Sequence, residues 1–103
     1  MFAADEYWFI SVKACVRVVI SGRVQGVGYR NWTFAKAEKM LLSGWVRNLA
    51  DGTVEATFSG PENDVRAMIA LCRKGPLLAK VSDITETVSE APAEGSFRIL
   101  PTS

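Results

Sequence analysis

The most continuous apolar stretch of the chain covers residues 14–21 and is rich in valine, isoleucine and cysteine. Such a run is typical of a central β-strand that is covered on both faces. The stretch leads into a segment that contains Gly22, Gly26 and Gly28. This density of glycine predicts a loop with unusual backbone angles directly after the strand.

Two helices are predicted from apolar side chains that recur on one face. The first covers residues 29–40, and its face consists of Tyr29, Thr33, Ala37 and Met40. The second begins at Pro61, because a missing N–H costs nothing in a first helical turn, and ends before Gly75. Its core-facing stripe consists of Val65, Met68, Ile69 and Cys72.

The segment between the helices is patterned as a β-hairpin. Residues 44–48 form its first strand, and the Asp51-Gly52 pair is a turn signal. Residues 53–59 then alternate between apolar and polar side chains, which is typical of a strand. The apolar face consists of Val54, Ala56 and Phe58.

Strands at residues 79–88 and 97–100 complete the pattern, so the element order is β-α-β-β-α-β plus a short C-terminal strand. Right-handed crossovers place both helices on the same face of the sheet. The predicted fold is therefore a two-layer α/β sandwich of the α+β, ferredoxin-like kind, with two helices on one face of an antiparallel sheet.

The composition fits one globular domain, since the chain has 103 residues, of which 49% are hydrophobic and 22% charged. We expect the domain at residues 13–100, with a tail at residues 101–103. Residues 1–12 are expected to be an extension that covers a sheet edge or is mobile. The 12 Lys and Arg against 11 Asp and Glu give a net charge of +1, which argues against nucleic acid as a partner.

The chain contains no histidine, and this excludes Ser-His-Asp and Cys-His hydrolysis as well as the common zinc sites. The two cysteines, Cys15 and Cys72, are expected to be reduced and buried, and neither a metal nor a cofactor is expected. No segment approaches the roughly 20 apolar residues of a membrane span. Asp5 and Glu6 precede the apolar residues 7–10, whereas a secretory signal begins with positive charge and has a longer apolar core, so a cytoplasmic location is expected.

The glycine-rich loop between the first strand and the first helix has the placement of an anion site. Arg30 follows in the first helical turn, where a cation opposes the helix dipole. An anion held between Arg30 and the loop would explain this cation, since a guanidinium can hold two phosphate oxygens. The alternative is an ordinary connection with a solvated arginine. The Gly-Lys-Ser/Thr ending of a nucleotide P-loop is absent.

Asn48 is the second candidate for a functional residue, because it ends a predicted strand immediately before the turn. The alternative is a plain turn residue, since asparagine is favoured in turns. Trp45 is expected to lie in the core. Solvated charges are expected at Lys36, Lys39, Arg47 and Arg66.

Two sequence strings together resemble the acylphosphatase family. They are Gly22-Arg23-Val24-Gln25-Gly26-Val27-Gly28-Tyr29-Arg30 and Gly44-Trp45-Val46-Arg47-Asn48. The resemblance covers roughly residues 13–100. It departs at Tyr29, where the family usually has Phe, and at Leu41, where the family commonly has Gly. A left-handed Leu41 would be strained by about 1 kcal/mol.

The resemblance implies metal-independent hydrolysis of acyl phosphates to a carboxylate and inorganic phosphate. By matching position, Arg30 would bind the phosphoryl group and Asn48 would orient the attacking water. The phosphate oxygens would be held by the backbone N–H groups of Val24, Gln25, Gly26, Val27, Gly28 and Tyr29. The implied enzyme is a monomer that acts on a small acyl phosphate and is inhibited competitively by its product, inorganic phosphate, with no nucleic-acid or membrane partner.

Two functions of other classes compete with this implied activity. One is a module of the same fold that binds a phosphate without turnover. The pairing of Arg30 with Asn48 favours the enzyme, because a pure phosphate binder has no use for a water-positioning amide. The other is an RNA-binding ferredoxin-like domain, whose Lys/Arg-Gly-aromatic strand signature is absent from this sequence.

Overall fold

The computed structural model describes residues 13–90 and 93–103, so the expected extension at residues 1–12 lies outside the described residues. The elements are β1 (Lys13–Arg23), α1 (Tyr29–Lys39), β2 (Ser43–Asn48), β3 (Val54–Pro61), α2 (Glu62–Lys74), β4 (Lys80–Val88) and β5 (Arg98–Ile99). This order confirms the predicted pattern, and the boundaries of the elements differ from the predicted ones by at most two residues.

The strands form one sheet in the order β4-β1-β3-β2-β5. β1 pairs antiparallel with β3 and with β4, and β2 pairs antiparallel with β3. β5 instead runs parallel to β2, with Trp45 opposite Arg98 and Val46 opposite Ile99. The prediction of an antiparallel sheet is therefore wrong at this edge. The chain leaves β4 at the end of the sheet where β2 begins, so it re-enters beside β2 in the same direction.

Both helices pack on one face of the sheet and enclose a single core. The core-facing sides predicted for the helices are confirmed, with Met40 only partly buried at the border. Fully buried positions of the strands include Val18, Ile20, Val46, Val54, Ala56 and Phe58. Cys15 and Cys72 are both buried, as expected, and no disulfide joins them. Within the described ranges, no helix has the length and apolar character needed to cross a membrane.

The opposite face of the sheet carries a buried carboxylate, Glu55, which is only 4% exposed. Arg17 and Arg47 each donate a hydrogen bond from Nε to one of its oxygens. The guanidinium carbon of Arg47 also lies 4.9 Å from the ring centroid of Trp45. Strand alternation turns Val46 toward the helices and both of its neighbours away from them. The expectations of a core Trp45 and a solvated Arg47 are therefore wrong.

Two charge effects act on Glu55 in opposite directions. Burial desolvates the carboxylate and favours its neutral form. The hydrogen bonds and positive charges of Arg47 and Arg17 together outweigh burial and hold the pKa of Glu55 below its usual range.

A leucine in the left-handed region, Leu41 with φ 58°, follows the C-terminal end of α1. Its N–H donates to the carbonyl of Glu38, and the N–H of Leu42 donates to the carbonyl of Ala37, both at 3.0 Å. These bonds form a Schellman motif, in which glycine is the usual residue. The side chain of Leu41 is 87% exposed, so its packing contacts offset little of the backbone strain. The strain expected at this position is thus present.

Replacing this leucine by glycine is expected to stabilise the protein. Leu41→Gly relieves about 1–2 kcal/mol of strain. The greater freedom of glycine in the unfolded chain offsets about 0.5–1 kcal/mol of that gain. For a domain of this size the net gain of about 0.5–1 kcal/mol corresponds to a rise in Tm of about 2–8 °C. Thermal unfolding followed by circular dichroism measures it, and an unchanged or lower Tm would contradict the strain.

Removing the buried carboxylate is expected to destabilise the protein in a pH-dependent way. Glu55→Gln should lower the free energy of unfolding at neutral pH by about 1–3 kcal/mol, because two guanidinium groups lose a charged acceptor. The pKa of Glu55 in the folded state lies below the unfolded value of about 4.3. The greater stability of the wild type is therefore complete above about pH 4.3 and disappears as the pH falls through the folded-state pKa. Urea unfolding of wild type and variant at neutral and acidic pH tests this prediction. An equal difference in the free energy of unfolding at the two pH values would contradict it.

Candidate active site

The loop between β1 and α1 turns on two glycines with left-handed backbone angles. Gly26 has φ 74° and Gly28 has φ 79°. A Cβ atom at either position would meet no heavy atom within 4 Å, so the requirement for glycine is conformational and not steric. Backbone that alternates between right- and left-handed angles directs successive N–H groups toward one side. The left-handed angles at Gly26 and Gly28 are of the kind that such anion-binding concavities require.

The N-terminus of α1 continues this concavity. Gly28 is the N-cap residue, no side chain caps the helix, and no acidic residue lies in the first turn. The first backbone hydrogen bond of the helix runs from the N–H of Trp32 to the carbonyl of Gly28, at 3.0 Å. The N–H groups of the preceding helical residues have no partner in the helix, and the helix dipole adds positive potential there.

A cavity of about 240 Å³ lies between this loop and the end of β2. It is lined by Val24, Gln25, Gly26, Gly28, Tyr29, Arg30, Asn31, Asn48 and Ile99. The structure thus brings together every residue predicted for the site except Val27, which packs against the core. A larger cavity of about 640 Å³ lies at the other end of the sheet, around Cys15 and Leu41, and contains none of the predicted site residues.

Arg30 and Asn48 both line the cavity, one from α1 and the other from β2. Both residues are half-buried. Among residues 13–90 and 93–103, neither side chain is engaged by a hydrogen bond or an ion pair, and no carboxylate lines the cavity. The site therefore combines a cation, a neutral amide and several backbone donors, which suits an anionic ligand. The described part of the chain holds no cluster of side chains that could bind a metal ion.

The end of β2 is also held by the C-terminal residues of the chain. The N–H of Ser103 donates to the carbonyl of Asn48 at 3.0 Å, and the N–H of Ala50 donates to the carbonyl of Ser103 at 2.8 Å. The residues expected to form a tail, 101–103, thus extend along the strand that carries Asn48. No feature of the sequence Pro101-Thr102-Ser103 indicated this contact.

Tyr29 attaches the start of α1 to the end of α2. Its hydroxyl donates to the carbonyl of Cys72 at 2.6 Å, one of the terminal carbonyls that α2 leaves unpaired. Burial, with a smaller contribution from Cys72, raises the pKa of Tyr29, and burial raises the pKa of the Cys72 thiol to about 12. Both groups therefore stay protonated, and the tyrosine that departs from the usual phenylalanine acts as a buried hydrogen-bond donor.

Three contributors to the site were not predicted. Asn31 and Ile99 line the cavity. The side chain of Gln25 forms hydrogen bonds to the β2–β3 turn, although only its backbone was assigned to the loop. Asn31 follows Arg30 directly, so helical geometry could have indicated it. The other two contacts join residues distant in sequence and have no local signal.

Comparison with known proteins places these features in a family. The acylphosphatase family model matches residues 16–99. An acylphosphatase of Rhodospirillum rubrum is 54% identical over 84 residues, which cover 82% of this chain and 92% of that protein. One of Acidiphilium cryptum is 51% identical over 80 residues, which cover 78% and 88% of the two chains. The structure of an acylphosphatase from Coxiella burnetii matches with a TM-score of 0.82 and 33% identity over 85% of this chain and 93% of that one.

The sequence and structure comparisons agree with each other. The matched region contains the loop, Arg30 and Asn48. The structural match also confirms the ferredoxin-like arrangement that was predicted from the order of elements. The chain therefore belongs to the acylphosphatase family.

Proposed function

We propose that the cavity between the β1–α1 loop and β2 hydrolyses small acyl phosphates without a metal ion. The observation that carries the proposal is that Arg30 and Asn48, from separate elements, line one cavity, and that neither side chain has a hydrogen bond or ion pair to the described residues. In this proposal Arg30 and the backbone donors hold the phosphoryl group, and Asn48 holds the attacking water. All of these groups come from one chain, so a monomer suffices for the reaction.

Binding of the phosphoryl group rests on the positive character of this end of the cavity. The backbone N–H groups of residues 24–29 supply hydrogen bonds in the plane of the phosphoryl oxygens. The guanidinium of Arg30 adds two parallel donors and a full charge. Phosphoryl transfer leaves the protein mostly with positioning and charge stabilisation, so donors aimed at these oxygens can replace a metal in stabilising the transition state.

The attacking water is activated by position and not by a base. The Asn48 amide does not titrate near neutral pH, so it orients the water through hydrogen bonds alone. The water oxygen bonds to phosphorus in line with the breaking bond between phosphorus and the acyl oxygen. The carboxylate leaves with that bond's electron pair and needs no acid, while the water proton passes to a phosphoryl oxygen. The products are a carboxylate and inorganic phosphate, and the alignment supplies several kcal/mol of the barrier reduction.

Hydrolysis of benzoyl phosphate in excess EDTA tests the assignment of both residues. We expect wild-type turnover to survive EDTA, and Arg30→Ala and Asn48→Ala each to reduce kcat/KM by about 100-fold or more. Arg66→Ala and Asn63→Ala are matched controls, because they remove an exposed arginine and an exposed asparagine on α2. A folded wild-type protein without turnover would refute the hydrolase and leave an anion-binding module. Turnover that disappears with EDTA would refute metal independence.

Inorganic phosphate is expected to bind the same cavity as a competitive inhibitor. Saturation at about 100 times Kd would stabilise the folded state by about 2.7 kcal/mol and raise Tm measurably. The rise should persist in Asn48→Ala, which keeps the donors for the phosphoryl oxygens, and should largely disappear in Arg30→Ala. Differential scanning calorimetry with and without phosphate measures the shift. An equal shift in Arg30→Ala would place the phosphate site elsewhere.

A further inference from the structure

The side chain of Gln25 reaches from the β1–α1 loop, which is called the phosphate loop below, to the turn between β2 and β3. Its Nε2 donates to the carbonyl of Leu49 at 2.9 Å and to the carbonyl of Thr53 at 2.8 Å. Both partners are carbonyl oxygens, which can only accept, so the NH₂ end of the amide must face them. One half-buried side chain thus uses both of its donors on a single partner segment.

The β2–β3 turn is closed by its own hydrogen bonds without Gln25. The N–H of Leu49 donates to the carbonyl of Thr53 at 2.9 Å, and that of Gly52 donates to the carbonyl of Leu49 at 3.2 Å. Asp51 accepts from the N–H and the hydroxyl of Thr53, at 3.0 and 2.6 Å. What Gln25 adds to this turn is therefore its attachment to the phosphate loop.

This attachment bridges two elements that the sheet keeps apart. The loop with Arg30 follows β1, whereas Asn48 ends β2 and directly precedes Leu49. In the sheet β3 lies between β1 and β2, so no ladder hydrogen bond joins the loop to the strand of Asn48. The two bonds of Gln25 span this gap at the end of the sheet where the cavity lies.

We propose that Gln25 is a positioning residue for hydrolysis, whose side chain sets the distance between the phosphoryl group in the loop and the water on Asn48. The inference rests on the proposed function. The backbone N–H of Gln25 belongs to the loop and is kept in alanine and glutamate variants, so the side chain can be tested separately. In-line attack tolerates little error, and a displacement of about 1 Å can reduce a rate by about 100-fold.

The first test separates positioning from phosphate binding. Gln25→Ala should lower kcat for benzoyl phosphate by about tenfold to a hundredfold while the Kd for inorganic phosphate changes by less than about threefold. Asp51→Ala is the matched control, because it also removes two hydrogen bonds of the same turn but none to the loop. Its kcat should stay within about threefold of wild type. A similar fall of kcat in both variants would contradict the positioning role and show that Gln25 only stabilises the turn.

The second test is a double-mutant cycle with Asn48. If Gln25 acts by placing the water on Asn48, then Gln25→Ala should lower kcat by less than about threefold in the Asn48→Ala background. An equal fall of kcat in both backgrounds would overturn the inference. Absence of wild-type turnover would refute the proposed function itself. Turnover that depends on Asn48 and not on Gln25 would refute only the positioning role.

Gln25→Glu keeps the size of the side chain and covers the case in which the alanine variant does not fold. An ionised carboxylate offers no donor to the two carbonyls, whereas a protonated carboxyl offers one. The kcat of this variant relative to wild type should therefore increase as the pH falls. A ratio within about threefold of unity at every pH would overturn the inference.

Discussion

The buried carboxylate of Glu55 fixes the three inner strands of the sheet relative to one another. It lies on β3 and receives one guanidinium from β1 and another from β2, so a single charge joins all three. A one-residue slip of either neighbour would turn its arginine toward the helices and leave the buried carboxylate with one guanidinium instead of two. Arg47 also directly precedes Asn48. Because side chains alternate along a strand, the ion pair that faces away from the helices fixes a register in which the Asn48 amide lies on the side of the helices.

The candidate site places positive charge where it disfavours folding. Arg30 sits in the first turn of α1, against the helix dipole, and no acidic side chain of that turn compensates it. The loop requires left-handed backbone at Gly26 and Gly28. Stability given up at a binding site in this way is a common cost of function. An anionic ligand would relieve the unfavourable charge and engage the unpaired donors together.

The parts of this molecule that the sequence predicts are those set by local physics. The stripe of α2 was recognisable because Pro61, Gly75 and apolar spacing all agree, and the Asp51-Gly52 turn is equally local. The strain at Leu41 could be anticipated only by comparison with the glycine usual in the resembling family. Contacts between distant segments carry no such local pattern.

Those distant contacts decide where the prediction is incomplete. The direction of β5 depends on which end of the sheet the chain returns from, and the burial of Glu55 depends on arginines from two other strands. The bridge from Gln25 to the turn spans 24 and 28 residues of sequence, so periodicity cannot indicate it. The positions of Arg30 and Asn48 at one cavity followed from the fold, because a loop after β1 and the end of β2 lie at the same end of the sheet.

The chemical nature of the cavity lining has a consequence for how the enzyme responds to acidity. The side chains around it are apolar, amide or guanidinium, apart from a tyrosine whose buried hydroxyl stays protonated. None of these groups changes its charge across the neutral range. In the proposed mechanism, the group at the site whose ionisation can change is therefore the phosphate of the substrate. A catalyst of this kind keeps the same electrostatic form while the acidity of its surroundings varies.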